Sequence, residues 1–299
     1  MPDVHLTRSQ SRLICLLAYV VAAAVAFAVG RVLRGSTLLG AAGAADFAAT
    51  VVVFVFSLIL DNSSVYDPYW SVAPVPILVY WLAAGGGGLS ARQIMVIALV
   101  AIWAVRLTMN WLRRWRGLAD EDWRYADYRR FGAGYWPVSF LGFHLFPTVI
   151  VFLGCVSLLP AFVPGNRPPG VLDLFAVLVT LTAITVEATA DRQLRGFLLS
   201  RTDPSQVLDT GLWALSRHPN YFGEVLFWWG LWLFGLAANP SWWWTIAGPI
   251  AVTGLFLGVS IPMMDRRLLS RHPGYARQIG ARSAFLPLPP FRQRHVEGS

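Results

Sequence analysis

Lysine is absent from the 299 residues: all 24 basic side chains are arginine, against 16 acids. Cysteine is nearly absent too. Cys15 and Cys155 each lie inside an apolar run, so neither a disulfide framework nor a zinc cluster is indicated. Charge of either sign is scarce, at 13% of residues, whereas 56% are hydrophobic and 14% aromatic. That balance excludes an ordinary soluble globular domain. The net charge of +8 does not signify nucleic-acid binding, because it gathers mainly in three hydrophilic segments separating apolar runs, as in cytoplasmic loops.

Eight runs approach or exceed the roughly 20 residues a helix needs to cross a bilayer, at 13–33, 38–60, 68–84, 92–112, 139–163, 170–190, 223–238 and 242–261. The expected fold is all-α, a polytopic bundle of membrane helices in contact with membrane lipids. The third run is short, so seven spans with one re-entrant piece is the alternative. The first run follows a basic N-terminus but lacks a small-residue cleavage site, so it is read as a membrane helix. With eight spans, the polar segments 113–138, 191–222 and 265–299 share one face with both termini, and their arginine density marks that face as cytoplasmic. Arg31 and Arg34 then fall on the other face. The opposite loops, 165–170 and 239–241, are short, and Trp242, Trp243 and Trp244 stand where an aromatic belt belongs. There is no internal repeat.

The stretch "SRHPNYFGE" mixes directional donors and acceptors at the mouth of an apolar run. Arg217 offers a planar fork for phosphate or carboxylate, Asn220 and His218 donate and accept, and Tyr221 can stack on a ring. Pro219 biases His218 away from helix, and Gly223 allows close backbone approach. Glu224 lies where a helix N-terminus favours a carboxylate. The competing reading is a solvated basic loop. Ionisable residues within or beside spans are costly, which singles out Asp67, Arg106, Glu187 and Asp191. Asp67 precedes a proline as a helix N-cap would. Arg106 suits an ion pair with a neighbouring helix. Glu187 and Asp191 are four apart on one helical face, so an arginine such as Arg195 is expected beside them. Tyr80 and His144 read as interfacial or packing residues. The segment "RGLADEDWRYADYRR" reads as an interfacial amphipathic helix.

"LWALSRHPNYFGEVLFWWGLWL", with "DPYWSVAP", "IWAVRLTMNWLRR", "DEDWRY" and the ending "DRRLLSRHPGYARQIGARSAFLPLPP", resembles the membrane family that shares the C-terminal domain of steroid 5-alpha-reductases. The resemblance implies an NADPH-dependent reductase of the carbon–carbon double bond of a lipophilic enone, with the cofactor at cytoplasmic helix ends and the substrate entering from the membrane. It divides the chain into additional helices over 1–62, a reductase-like domain over 63–290 and a polar tail over 291–299, in a bacterial inner membrane. By this resemblance the cofactor-binding residues are Asp191, Arg195, Arg217, His218, Asn220, Tyr221, Glu224, Tyr275 and Arg282. Among these, Asn220 lies near the nicotinamide, Tyr275 and Arg282 belong to the closing motif, and the arginines suit the phosphates.

The family's catalytic glutamate aligns with Asp67. Its tyrosine position falls at Trp103, whose indole donates a hydrogen bond but has no useful acidity. Tyr66, Tyr69 and Tyr80 are the nearby phenols, and spacing does not choose among them; Asp67 and Tyr69 are taken as the catalytic pair. A membrane methyltransferase using S-adenosylmethionine, of the isoprenylcysteine or phospholipid type, is the rival reading, since those enzymes also carry an Arg-His-Pro-x-Tyr-x-Gly pattern. A non-catalytic lipid-binding scaffold is the third.

Overall fold

The apolar runs become helices whose ends carry recognisable stop and start signals. In the computed structural model, which describes residues 6–289 apart from Gly87, Pro204 and Pro273, there is no strand among the described residues, only an isolated bridge between Ser216 and Ser283. The expected tail, 291–299, lies outside the described residues, as does Pro290. Helix α1 (Arg8–Val32) begins at a Thr7–Gln10 capping box, and α2 (Leu38–Ile59) at Thr37, whose side chain accepts from Gly40 N–H. A short turn, Tyr69–Val72, leads into α3 (Pro74–Ala84). Helix α4 (Ala91–Arg114) starts at a Ser90–Gln93 capping box. Then come α5 (Arg129–Val156), α6 (Val171–Ser200), α7 (Pro219–Ala238), α8 (Pro240–Arg271) and the short α9 (Tyr275–Ala281). Helices α5 and α8 each contain a π-helical turn, Ser139–Leu145 and Phe256–Ser260.

Seven of these helices are long and apolar enough to cross a membrane. The exception is α3, whose 11 residues reach only ~16 Å against a hydrocarbon core of ~30 Å. The chain nevertheless changes face along 69–84. Trp70 and Ser71 bond Glu224 and Thr108 near one end of the bundle, while Trp81 Nε1 donates to Leu38 O at the other. Trp81 and Leu78 are fully buried, so the short segment passes between other helices rather than facing lipid alone.

Contacts sort the connections onto two faces. On one, Arg8 and Arg12 donate to carbonyls at Leu112 and Arg113, Asn62 donates to Leu118 O, the Arg267 guanidinium lies 4.0 Å from the Trp123 ring, and Arg217 pairs with Asp265. The three polar segments therefore do share a face with the described part of each chain end. On the other face, Arg92 makes a two-pronged ion pair with Asp173 and donates to Arg167 O, and Gln93 donates to Ala161 O.

Several expected boundaries move. Helix α6 continues to Ser200, ten residues beyond the expected span, so Asp191 and Arg195 stand on a helix. Helix α8 likewise runs to Arg271. The expected amphipathic helix around residues 116–130 does not form; a single turn, Trp123–Ala126, and the 3₁₀ stretch that opens α5, Arg129–Gly134, stand there instead. Gly132, at φ 54, breaks any longer helix there.

Helices α6 and α7 form the closest pair. A Cβ at Gly223 would stand 2.6 Å from Glu187 Cβ, and Gly230, two turns on, abuts Thr180. Those two hydrogens let the backbones approach and bring Glu187, Asp191 and Glu224 to the same interface.

Candidate functional site

The buried polar groups at the inner end of the bundle form four adjoining clusters. In the first, Arg106 of α4 pairs with both Glu187 and Asp191 of α6. Asn110, one turn beyond Arg106, donates to the same Asp191 oxygen at 2.8 Å. The expected pair of carboxylates thus does have its arginine, but it comes from α4. Arg195, one turn beyond Asp191 on α6, is exposed and makes no pair with either acid.

Glu224 of α7 completes the first cluster; it is 4% exposed and accepts three indole N–H bonds: Trp70 at 3.3 Å, Trp103 at 2.8 Å and Trp228 at 2.9 Å. Trp103 also stacks on Phe227, with ring centroids 4.5 Å apart. An indole is donor-only, so a buried carboxylate is its natural complement. Three of about four acceptor positions on Glu224 are therefore taken by protein.

The second cluster centres on Asp265 of α8. His218 Nε2 lies 2.8 Å from Oδ1, Tyr275 OH donates to Oδ1 at 2.6 Å, and Arg217 donates to Oδ2 at 2.9 Å. His218 is the N-cap residue of α7, held outside helical geometry at φ −137 by the following Pro219, as the sequence suggested. Tyr221 stacks on His218, with centroids 5.2 Å apart and planes 10° apart. Burial, reinforced by the Asp265 bond, pushes the Tyr275 phenol above its ordinary range. Arg282 donates to Trp213 O and Gln278 Oε1, and Trp213 Nε1 donates to Ala190 O, tying this cluster to the Asp191 end of α6. Three buried atoms here have no partner among the described residues: Arg217 Nε, Arg282 Nε and Asn220 Oδ1. Asp265 is the hub that stood outside the expected site residues; its signal was the string "MMDRR" at the end of an apolar run.

The expected catalytic pair separates into the third and fourth clusters. Asp67 is the C-cap residue of a 3₁₀ turn, in helical geometry, and its carboxylate is not an N-cap; Pro68 is the N-cap residue of the next turn and makes no side-chain cap bond. The Asp67 carboxylate instead accepts from Tyr125 OH at 2.6 Å and faces Arg124 at 3.8 Å. Burial pushes it up to about 6, against the pull of Arg124. Burial also opposes the charge on neighbouring Asp122, but Arg124 at 2.7 Å holds that carboxyl below its ordinary value. Tyr69 does not meet Asp67. Its hydroxyl donates at 2.7 Å to Asp46, a carboxyl of α2 that the sequence reading did not single out. Tyr66 bonds Thr148 at 2.8 Å. His144 is fully buried at the α2–α5 interface, with Ser57 3.1 Å from Nε2.

With this geometry established, relatives supply the lineage. The family described as "Protein of unknown function (DUF1295)" matches residues 53–278. The chain belongs to that family. Its match takes in α3 to α8, the end of α2 and the start of α9, and so covers every cluster described above except Asp46 and Arg282. The chain is also similar to "Uncharacterized protein C594.04c" of Schizosaccharomyces pombe (strain 972 / ATCC 24843), at 28% identity over 251 residues, covering 75% of this chain and 72% of that one. No solved structure matches.

Proposed function

We propose that this protein is an integral membrane, NADPH-dependent reductase of a carbon–carbon double bond in a lipophilic enone, with its polar face in the cytoplasm of a bacterium. One observation carries the cofactor half. The adjacent Arg217 and His218 and, from a second segment, Tyr275 converge on Asp265 at the N-terminus of α7, beside Arg217 Nε, Arg282 Nε and Asn220 Oδ1, which lack protein partners among the described residues. The two guanidinium N–H groups suit phosphate oxygens, and the amide oxygen suits a carboxamide N–H, so the donor set fits a dinucleotide. Asp191 and Tyr221 border the same region. Glu224, filled by indoles, positions Trp70, Trp103 and Trp228 instead of holding the cofactor, and the exposed Arg195 stands apart from it. NADPH, when bound, supplies the hydride. The chain must then hold a proton for the carbonyl end of the enone, and Asp67, with a carboxyl near 6, suits that role at neutral pH.

The test is ligand binding by the purified protein. NADPH is expected to bind in the micromolar range, S-adenosylmethionine far more weakly, and Asn220→Ala or Arg217→Gln to weaken NADPH at least tenfold. Tighter binding of S-adenosylmethionine would transfer the site to a methyltransferase. Binding of neither would leave a lipid-binding scaffold.

A further inference from the structure

A column of hydroxyls lies between α2 and α5, outside the clusters given to the cofactor. At its inner end, Glu121 accepts from Tyr135 OH at 3.3 Å, and Tyr135 OH lies 2.6 Å from Ser63 Oγ. Ser63 Oγ is 2.9 Å from Ser139 Oγ, which is 3.5 Å from His144 Nδ1. The π-helical turn places Ser139 and His144 on one side although they are five residues apart, and Nδ1 also lies 3.0 Å from Ser139 O. Deeper in the bundle, Tyr66 OH bonds Thr148 at 2.8 Å and Thr148 bonds Thr50 at 3.0 Å; Thr50 Oγ1 lies 2.9 Å from Asp46 O, the carbonyl that Tyr69 OH also approaches at 3.0 Å. Tyr69 then donates to Asp46 at 2.7 Å. Asp46, Thr50 and Ser57 fall on one face of α2, four and seven residues apart. Two steps have no direct hydrogen bond: His144 to Tyr66, whose rings pack with centroids 4.8 Å apart, and Thr50 to Tyr69, whose hydroxyls meet at the shared Asp46 carbonyl.

Asp46 differs from the other carboxyls inside the spans. Asp173, Glu187, Asp191 and Asp265 each pair with an arginine, and Glu224 has three indoles. Asp46 is 6% exposed and, among the described residues, has no ion pair. The titratable groups around it are Tyr69 and Tyr66, Tyr19 and Cys15 of α1, Cys155 and His144 of α5, and, farther off, Asp67. None is an arginine. A bare carboxylate there is costly, and a proton is the counter-charge within reach.

We propose that this column is a proton relay that connects the aqueous face at Glu121 with a proton-bearing carboxyl, Asp46, inside the membrane domain. In each hop an O–H or N–H bond breaks on one group as an O–H or N–H bond forms on the next. The net change is one proton taken at Glu121 and one delivered at Asp46, and no electrons are transferred. The ring contact between His144 and Tyr66 and the approach of Thr50 to Tyr69 are the gated hops, each made when a hydroxyl rotates. Beyond Asp46 no side-chain hydrogen bond continues towards the opposite face among the described residues, so the column is a supply line for one point in the membrane rather than a channel. The proposal stands whether or not the chain reduces an enone.

Infrared spectroscopy of the detergent-purified full chain tests it without cofactor. The carboxylic C=O band of Asp46 is assigned at pH 7 by its loss in Asp46→Asn, which keeps an acceptor for Tyr69, and by its shift in protein carrying ¹³C-labelled aspartate. After transfer to D₂O the band is expected to exchange rapidly in the wild type. Ser63→Ala and His144→Phe, checked for unchanged circular dichroism and melting, are expected to slow exchange at least tenfold. Thr180→Ala, which removes a buried hydroxyl at the α6–α7 interface, is expected to leave the rate unchanged. No carboxylic band from Asp46 at pH 7, exchange unaltered in both relay variants, or equal slowing in Thr180→Ala would each overturn the proposal.

Discussion

At Glu224 three indole N–H groups converge on two carboxylate oxygens, so removing the carboxyl orphans all three donors together. Glu224→Leu is expected to lower unfolding stability by about 2–4 kcal/mol, since each stranded buried donor carries a desolvation penalty of ~1–3 kcal/mol and the three are not additive. Trp103→Phe removes a donor and keeps much of the stacking on Phe227, so its loss should be smaller; thermal unfolding in detergent ranks the two. Asp67 has the opposite sensitivity. Its carboxyl is raised from 3.8 to about 6 by burial, so the folded state binds the proton more tightly than the unfolded chain does. The associated stability is fully present below about 4 and is lost as pH rises through about 6. Two units correspond to a ceiling of about 3 kcal/mol, and the 16% of the side chain still exposed brings it lower. Unfolding temperature is therefore expected to rise from pH 7 to pH 5, and Asp67→Asn to flatten that rise. The chemistry of these residues was readable in sequence, because a carboxyl beside a span announces itself. Their partners were not: Trp70, Trp103 and Trp228 come from three separate elements, and Arg106 reached Asp191 where the nearer Arg195 did not.

Among elements, the α6–α7 pair sets the geometry of the inner end. Gly223→Ala would drive a methyl into the Glu187 side chain and the Ala183 carbonyl, and is expected to destabilise the protein by about 1–3 kcal/mol. Gly196, on the same α6 but with open space around it, makes the matched control. Gly196→Ala is expected to gain about 0.5–1 kcal/mol from helix propensity alone, so paired melting curves should move in opposite directions. Helix type and number were legible from apolar runs. Helix ends were not, because α6 and α8 run on past the long apolar runs into polar turns, where Asp191 pairs with Arg106 and Asp265 with Arg217. The segment at residues 116–130 had the charge pattern of an interfacial helix, yet its charges are used in place: Arg129 pairs with Asp61 and Glu121, and Arg124 with Asp122.

For the whole molecule, two sets of connections on opposite faces make a labelling prediction. Single cysteines at Ser9, Asp120 and Ser205, in a background lacking Cys15 and Cys155, should share one accessibility class towards an impermeant maleimide. Those at Ser36 and Asn166 should share the other. If 69–84 did not carry the chain across, Ser9 and Asp120 would fall into different classes. The ion pair of Arg92 with Asp173, 1% and 4% exposed, clamps the far face. Asp173→Ala should leave an unpaired buried guanidinium and cost about 3–5 kcal/mol.

By itself the sequence determined the class of the protein: a lipid-embedded helical bundle with its polar residues at one end. Apolar run length and arginine placement are properties of a single chain meeting a bilayer, and neither depends on which helices touch. It also picked out the start of α7, because a proline after His218 and a carboxyl near the mouth of an apolar run are local features. Only the tertiary structure decided how those side chains are used. It gave Asp265 its ring of donors, filled Glu224 with indoles, separated Tyr69 from Asp67, and set Asp46 beside a column of hydroxyls from α5. Each of those pairings joins residues far apart in the chain, and a helix shows its neighbours only the face that packing has turned towards them.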